Sequence, residues 1–97
     1  MDFKLSKQAS QDIEDIYIYG FINFGESQAD QYSTKLLKCF DLLCSNPEIG
    51  RLDSRVNPAV RRFNSESHVV FYDIEDEALF IVRILHRSVD FIQHLST

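Results

Sequence analysis

The chain has no tryptophan, one methionine, three glycines and two prolines in 97 residues. So few breakers exclude a collagen-like, low-complexity or linker-rich chain. Two cysteines are too few for a disulfide scaffold. Cys39 and Cys44 lie five apart in an expected helix, on different faces, so they are not expected to pair. No CxxC or His/Cys cluster offers zinc its ligand spacing. His86, Asp90 and His94 recur every four residues, but His86 ends an expected strand, so no helical metal face forms and no metal or cofactor is implied. No run approaches the ~18 apolar residues of a membrane span. The N-terminal MDFKLSKQAS lacks the apolar core of a secretion signal, so the expectation is a cytoplasmic protein without a membrane partner.

What is present is a globular composition, expected to fold as one domain over residues 1–97. Charge is unevenly placed. The net charge is −5, yet all six arginines lie between Arg51 and Arg87 and all four lysines precede Leu42. An acidic chain is a poor general nucleic-acid binder, because neutralising phosphates needs excess positive charge. No direct sequence-specific nucleic-acid binding is therefore expected. A local arginine group can still grip a carboxylate or phosphate through the planar guanidinium fork.

The order of elements follows from periodicity. DFKL (2–5) alternates as a short strand. Ser6 fits a helix N-cap, and Ala9, Ile13, Ile16, Gly20 and Phe24 mark one apolar helical stripe. Asp12, Glu14 and Asp15 read as a solvated acidic face. Gly25 closes this helix. A second runs from about Glu26 to about Ser45 on the stripe Ala29, Tyr32, Leu36, Phe40, Leu43, and Pro47 stops it. The segment after Pro47 is expected to be irregular until about Val60. Strands then follow at VRRFN (60–64), HVVFYDI (68–74) and ALFIVRILH (78–86), with a turn at Glu75-Asp76-Glu77 and a short helical tail around Phe91. The expected fold is α+β, ordered β-α-α-β-β-β, with a helical hairpin on one face of an antiparallel sheet.

Strand parity places the charged groups. In the last strand Phe80, Val82, Ile84 and His86 share one side, taken as the helix-facing one. That sends Arg83 to the open side beside Arg62, provided no bulge intervenes. Arg62, Arg83 and Arg87, with Arg61, would then form an exposed guanidinium group. The alternative is a cross-strand ion pair from Arg83 to Asp73 or Glu75. His68 and Tyr72 read as satisfied interior residues.

The chain also resembles a known pattern. It reads Leu5-Ser6, Ala9, Asp12-Ile13, Ile16, Tyr19, Phe24-Gly25, Ala29, Tyr32 and Leu36 along the hairpin. Asn46-Pro47 and Gly50 follow, then Arg61, Phe63, His68 and Tyr72, then Phe80, Val82-Arg83-Ile84-Leu85-His86 and Asp90. This ordered set resembles the ParE branch of the RelE/ParE toxin superfamily of type II toxin–antitoxin systems, across nearly the whole chain. The resemblance implies a non-enzymatic toxin acting on the DNA gyrase A subunit, without catalytic residues or cofactor. It also implies a hetero-oligomer with a cognate ParD-like antitoxin, whose disordered acidic segment folds on the toxin. Candidate target-binding residues are Arg61, Arg62, Arg83, His86 and Arg87. Candidate antitoxin contacts are Arg51, Arg55, Arg61 and Arg62, the groove beside the hairpin and the sheet edge. RelE-like relatives are instead ribosome-dependent messenger-RNA endonucleases. That chemistry needs a base, an acid and phosphate-binding cations. The chain has neither tyrosine nor lysine after Tyr72; His86 and His94 remain, with His86 next to Arg87 as the counterpart of an acid and a phosphate clamp. A third reading is a degenerate member that binds antitoxin without toxicity.

Overall fold

The computed structural model describes residues 1–95. Strand β1 (Asp2–Leu5) leads into α1 (Lys7–Phe24) and α2 (Glu26–Ser45). Strands β2 (Arg51–Asp53), β3 (Val60–Ser65), β4 (His68–Glu75) and β5 (Ala78–His86) follow, and α3 (Phe91–Leu95) ends the described chain. Ser6 caps α1 as its sequence position suggests. Its Oγ accepts the Ala9 N–H at 2.9 Å and donates to the Val82 carbonyl at 2.6 Å, so one hydroxyl caps the helix and ties it to β5. Gly25 joins the two helices at φ 93°, a conformation L side chains rarely adopt, and the hairpin depends on it.

The sheet order is β1-β5-β4-β3-β2. The expected α+β layering is present, with two refinements. First, the sheet is mixed: β1 runs parallel to β5, while the other neighbours are antiparallel. The helical hairpin follows β1 directly and carries the chain away from it, so no tight turn forces β1 antiparallel to its neighbour. Second, the segment expected to be irregular contains β2, which pairs with β3 and supplies the far edge. At three residues, β2 is too short for period-two alternation to stand out.

A bulge corrects the face assignment. Phe71 pairs with Arg83 but Tyr72 pairs with Ile81, so Val82 is an extra residue in β5. Leu79 and Ile81, not Phe80 and Val82, therefore face the helices, and Ile84 joins them beyond the bulge. There they meet Leu36, Phe40 and Leu43 of α2 and Val70 and Tyr72 of β4. Phe3 packs its ring 5.2 Å from that of Phe40. A second, smaller core lies on the other face. Val56, Val60, Val69, Phe71 and Leu85 are buried there beneath Phe91 and Leu95 of the tail. Both faces of the central strands are thus covered.

Tyr72 holds the long connection after α2. Its hydroxyl donates to the Pro47 carbonyl at 2.7 Å and accepts the Gly50 N–H at 2.9 Å, while its ring is fully buried. A side chain at Gly50 would collide with the Tyr72 ring. Removing the hydroxyl leaves two backbone groups without their partner, worth about 1–3 kcal/mol. Tyr72→Phe is expected to lower the thermal midpoint by several degrees, and Gly50→Ala to lower it further, both read by circular dichroism.

Candidate functional site: the open end of the hairpin and the arginine segment

The six arginines do not gather into one surface. Arg83 turns round the edge of β5 to Asp12 of α1. Its Nε donates to Oδ2 at 2.8 Å and its Nη2 to Oδ1 at 2.9 Å, and the Ile84 N–H donates to the same carboxylate at 2.9 Å. Both side chains are mostly covered, at 16% and 12% exposure. The expected solvent-facing Arg83 is therefore corrected, and so is the solvated Asp12. Asp73 and Glu75 are not its partners. β1 pairs with β5 only as far as Ile81, so the edge beyond is free, and α1 brings Asp12 to fill it.

Arg62 does lie on the face opposite the hairpin, as parity predicts, but it is not free. Its Nη1 sits 3.5 Å from Asp53, and its guanidinium lies 4.8 Å from the Phe91 ring centroid and 5.6 Å from that of Phe71. Arg55 makes a two-pronged contact with Asp53, at 3.0 and 2.6 Å, and its guanidinium lies 4.9 Å from the Phe91 ring centroid. Asp53 is 5% exposed, and the hydrogen bonds from Arg55 hold its carboxyl far below the usual range. This cluster pins the β2–β3 connection and the tail to one another. Arg61, on the helix-facing side, donates to the Gly50 carbonyl at 2.8 Å and props the same loop that Tyr72 holds. Arg51 and Arg87 are exposed, and among the described residues no acid forms an ion pair with either. The exposed group expected from Arg62, Arg83 and Arg87 thus reduces to Arg87, with His86 beside it.

His86 adjoins a second feature. Its ring lies 5.3 Å from that of His68, which accepts a hydrogen bond from the Tyr32 hydroxyl on α2. That hydroxyl also accepts the Ser67 N–H at 3.2 Å. Burial pushes His68 down to about 4, helped by the neighbouring His86. It is neutral at pH 7, as its acceptor role requires. These groups floor a groove between the hairpin and the ends of β4 and β5, walled by Tyr19 and Phe24.

The outer surface of the same helix is the least expected part of the molecule. Ile18, Tyr19, Phe21, Ile22 and Phe24 are all exposed, Ile22 by 75% and Tyr19 by 63%. The periodic stripe expected from the sequence sets Phe24 on one face with Ala9, Ile13, Ile16 and Gly20. The missed signal is that IYIYGFINF (16–24) has no charged residue and is apolar all round, whereas a solvated helix carries a polar face. A contiguous apolar patch on a small domain marks an interaction surface.

Comparison with known proteins agrees with this architecture. The family described as "ParE toxin of type II toxin-antitoxin system, parDE" matches residues 3–91. The chain belongs to the ParE toxin family. It is 33% identical over 93 residues to the toxin ParE1 of Caulobacter vibrioides, covering 96% of both chains. It is 32% identical over 94 residues to the toxin ParE1 of Mycobacterium tuberculosis, again covering 96% of both. A solved structure described as a chromosomal ParDE TA system from P. aeruginosa shares the fold, with a TM-score of 0.76 and 23% identity over 89% of this chain and 95% of that one. Like any ParE-family chain matched so fully, this one is a ParE-type toxin of a type II toxin–antitoxin system. Among the described residues no helix is long and apolar enough to cross a membrane, and no group of three or more His, Cys, Asp or Glu could hold a metal.

The buried histidine of this ParE-family chain gives a pH test. Folding lowers His68 from 6.5 to about 4, so the unfolded chain takes up a proton that the folded chain refuses. The stability associated with neutral His68 is complete above pH 6.5 and declines as pH falls toward 4. Urea unfolding midpoints are expected to drop across that window, and His68→Gln is expected to flatten the drop. An equal decline in wild type and variant would remove His68 as its source.

Proposed function

We propose that this chain poisons DNA gyrase through its A subunit in the cytoplasm, and that a cognate ParD-like antitoxin neutralises it by direct binding in a hetero-oligomer. The uncharged, outward-facing second half of α1 carries this reading. Ile18, Tyr19, Phe21, Ile22 and Phe24 are all exposed there, which suits a surface covered by another protein. An amphipathic helix that folds on the toxin would bury them. Arg51 and Arg55 are reachable contacts for an acidic antitoxin segment, with Arg61 and Arg62 shaping the surface behind them. The gyrase contact is assigned to His86 and Arg87, while Arg61, Arg62 and Arg83 support the frame that presents them.

Cleavage of messenger RNA is disfavoured by the same geometry. A nuclease must bring cations to the scissile phosphate. Arg83 and Arg62 are engaged with Asp12 and Asp53, and His68 is held neutral by burial and by Tyr32. His86 Nδ1 is occupied by Ser88, which donates its N–H there at 3.2 Å. One free arginine beside one histidine is a thin basis for acid–base cleavage, but a sufficient contact for protein recognition.

The test sets purified chain against gyrase supercoiling and against translating ribosomes. The expected result is loss of supercoiling with trapped cleaved DNA, and messenger RNA left intact. Intact gyrase activity with clean RNA cutting would overturn the proposal. Absence of growth arrest on induction without antitoxin would reduce the chain to an antitoxin-binding relic.

A further inference from the structure

The end of the molecule opposite His86 and Arg87 carries a different surface. Met1, Pro47, Ile49 and Ile74 line an open hollow of about 600 Å³ between the start of β1, the connection after α2 and the end of β4. Met1, Ile49 and Ile74 are 49%, 48% and 38% exposed, so apolar surface faces water there. The lining segment is held in place. The Tyr72 hydroxyl binds the Pro47 carbonyl and the Gly50 N–H, and Arg61 donates to the Gly50 carbonyl at 2.8 Å. A hollow fixed in this way gains from burying an incoming apolar side chain without first having to order itself.

Carboxylates surround this hollow. Glu48 lines it directly. Asp2 follows Met1 and pairs in register with Ala78, which places it beside Glu77. Glu75 follows Ile74, and Asp76 and Glu77 form the two-residue turn into β5, closed by the Glu75–Ala78 pair. Burial raises the Cys44 thiol, and the nearby charges of the N-terminal ammonium, Asp41 and Asp2 all reach it, so these groups meet at the last turn of α2. All six acids are exposed, and among the described residues none of them is in an ion pair. The two cations there face backbone instead. The Met1 ammonium lies 3.5 Å from the Cys44 carbonyl, and Arg61 is turned to Gly50.

The charge around the hollow selects its occupant. Nucleic acid, an anionic membrane and an acidic antitoxin segment are all repelled by it, and a second copy of this chain carries a net charge of −5. A basic protein surface is attracted. A protein that holds DNA has such a surface by necessity, because neutralising phosphates needs positive charge. We propose that the hollow and its carboxylate rim dock on a cationic surface of the toxin's DNA-handling target. One apolar side chain of that surface enters the hollow, and lysines or arginines around it meet the rim. The inference rests on the gyrase reading and adds a second contact to it, opposite in charge to His86 and Arg87. The nine residues of β5 run between the two contacts, which sets them about 25 Å apart. The rim supplies steering and salt dependence, and the apolar anchor supplies affinity.

The experiment measures calorimetric affinity between this chain and purified DNA gyrase, at low and high salt, with inhibition of supercoiling read beside it. Glu77→Lys tests the rim and Ile49→Ser tests the hollow. Both positions are exposed, and thermal melts check that each variant folds. Glu14→Lys, the same charge change on the exposed side of α1, serves as the control. The expected result is a loss of gyrase affinity of about five-fold or more for each of the first two, and less than about two-fold for the third. Glu77→Lys should also flatten the salt dependence. Affinity for the antitoxin encoded beside the toxin should stay within about two-fold in the rim and hollow variants, because an acidic segment has no attraction to this rim. Wild-type gyrase binding that both variants retain would overturn the docking surface while leaving the gyrase reading intact. No wild-type gyrase binding at all would overturn that reading and this inference with it. Loss of antitoxin affinity with gyrase affinity unchanged would give the hollow to the antitoxin and overturn the proposal. A free chain that dimerises, and that Ile49→Ser renders monomeric, would give it to a second copy with the same consequence.

Discussion

The contact between Asp12 and Arg83 is the constraint on which the arrangement of this molecule depends. It joins residues 71 apart, the first helix and the last strand, through two guanidinium bonds and one backbone N–H. That backbone bond matters as much as the charge. Beyond Ile81 the edge of β5 has lost β1, and an unpaired N–H at a partly buried edge is costly. Asp12 satisfies it while neutralising the arginine. The side of α1 that carries Asp12 is thereby fixed against β5, and with it the direction in which Ile18, Tyr19, Ile22 and Phe24 point. An acid that looked like part of a wet helical face orients the apolar surface further along the same helix.

A second carboxylate repeats this logic on the other face. Asp53 collects Arg55 and Arg62, and both guanidinium groups lie within 5 Å of the Phe91 ring centroid, at 4.9 and 4.8 Å. Desolvated charge is tolerable in both places because each carboxylate is multiply bonded. The outcome is that much of the positive segment is internal framework. What remains for partners is a narrow cationic rim beside a broad apolar surface, an arrangement suited to gripping a protein and poorly suited to cleaving a phosphodiester.

Local pattern made much of the fold legible. Both long helices, the Ser6 cap, the Gly25 junction and four of the five strands follow from periodicity and breakers, because those signals are short-range. The side of β3 on which Arg62 sits followed from Phe63 packing inward. What could not be read was non-local. One extra residue at Val82 shifted the inward set of β5 to Leu79 and Ile81, and nothing in ALFIVRILH marks it. The strand at Arg51–Asp53 exists only because β3 is there to pair with it. The partners of Arg83 and Arg62 depended on which acids the folded chain brings near. Neither Asp12 nor Asp53 stands out in the sequence. Tyr32 was visible as a stripe residue, but its bond to His68 spans 36 positions. The exposed apolar helix was present in IYIYGFINF and was obscured by following only the stripe through Ile16, Gly20 and Phe24.

Denaturant unfolding of Asp12→Ala, Arg83→Ala and the double variant tests the central claim most directly. Removing one partner of a covered pair strands the other, at about 3 kcal/mol or more. The account expects each single variant to lose stability on that scale, and the double variant to lose clearly less than the sum, a coupling of about 1 kcal/mol or more. Single losses below about 0.5 kcal/mol that simply add would show that the pair is incidental and that something else orients the hairpin.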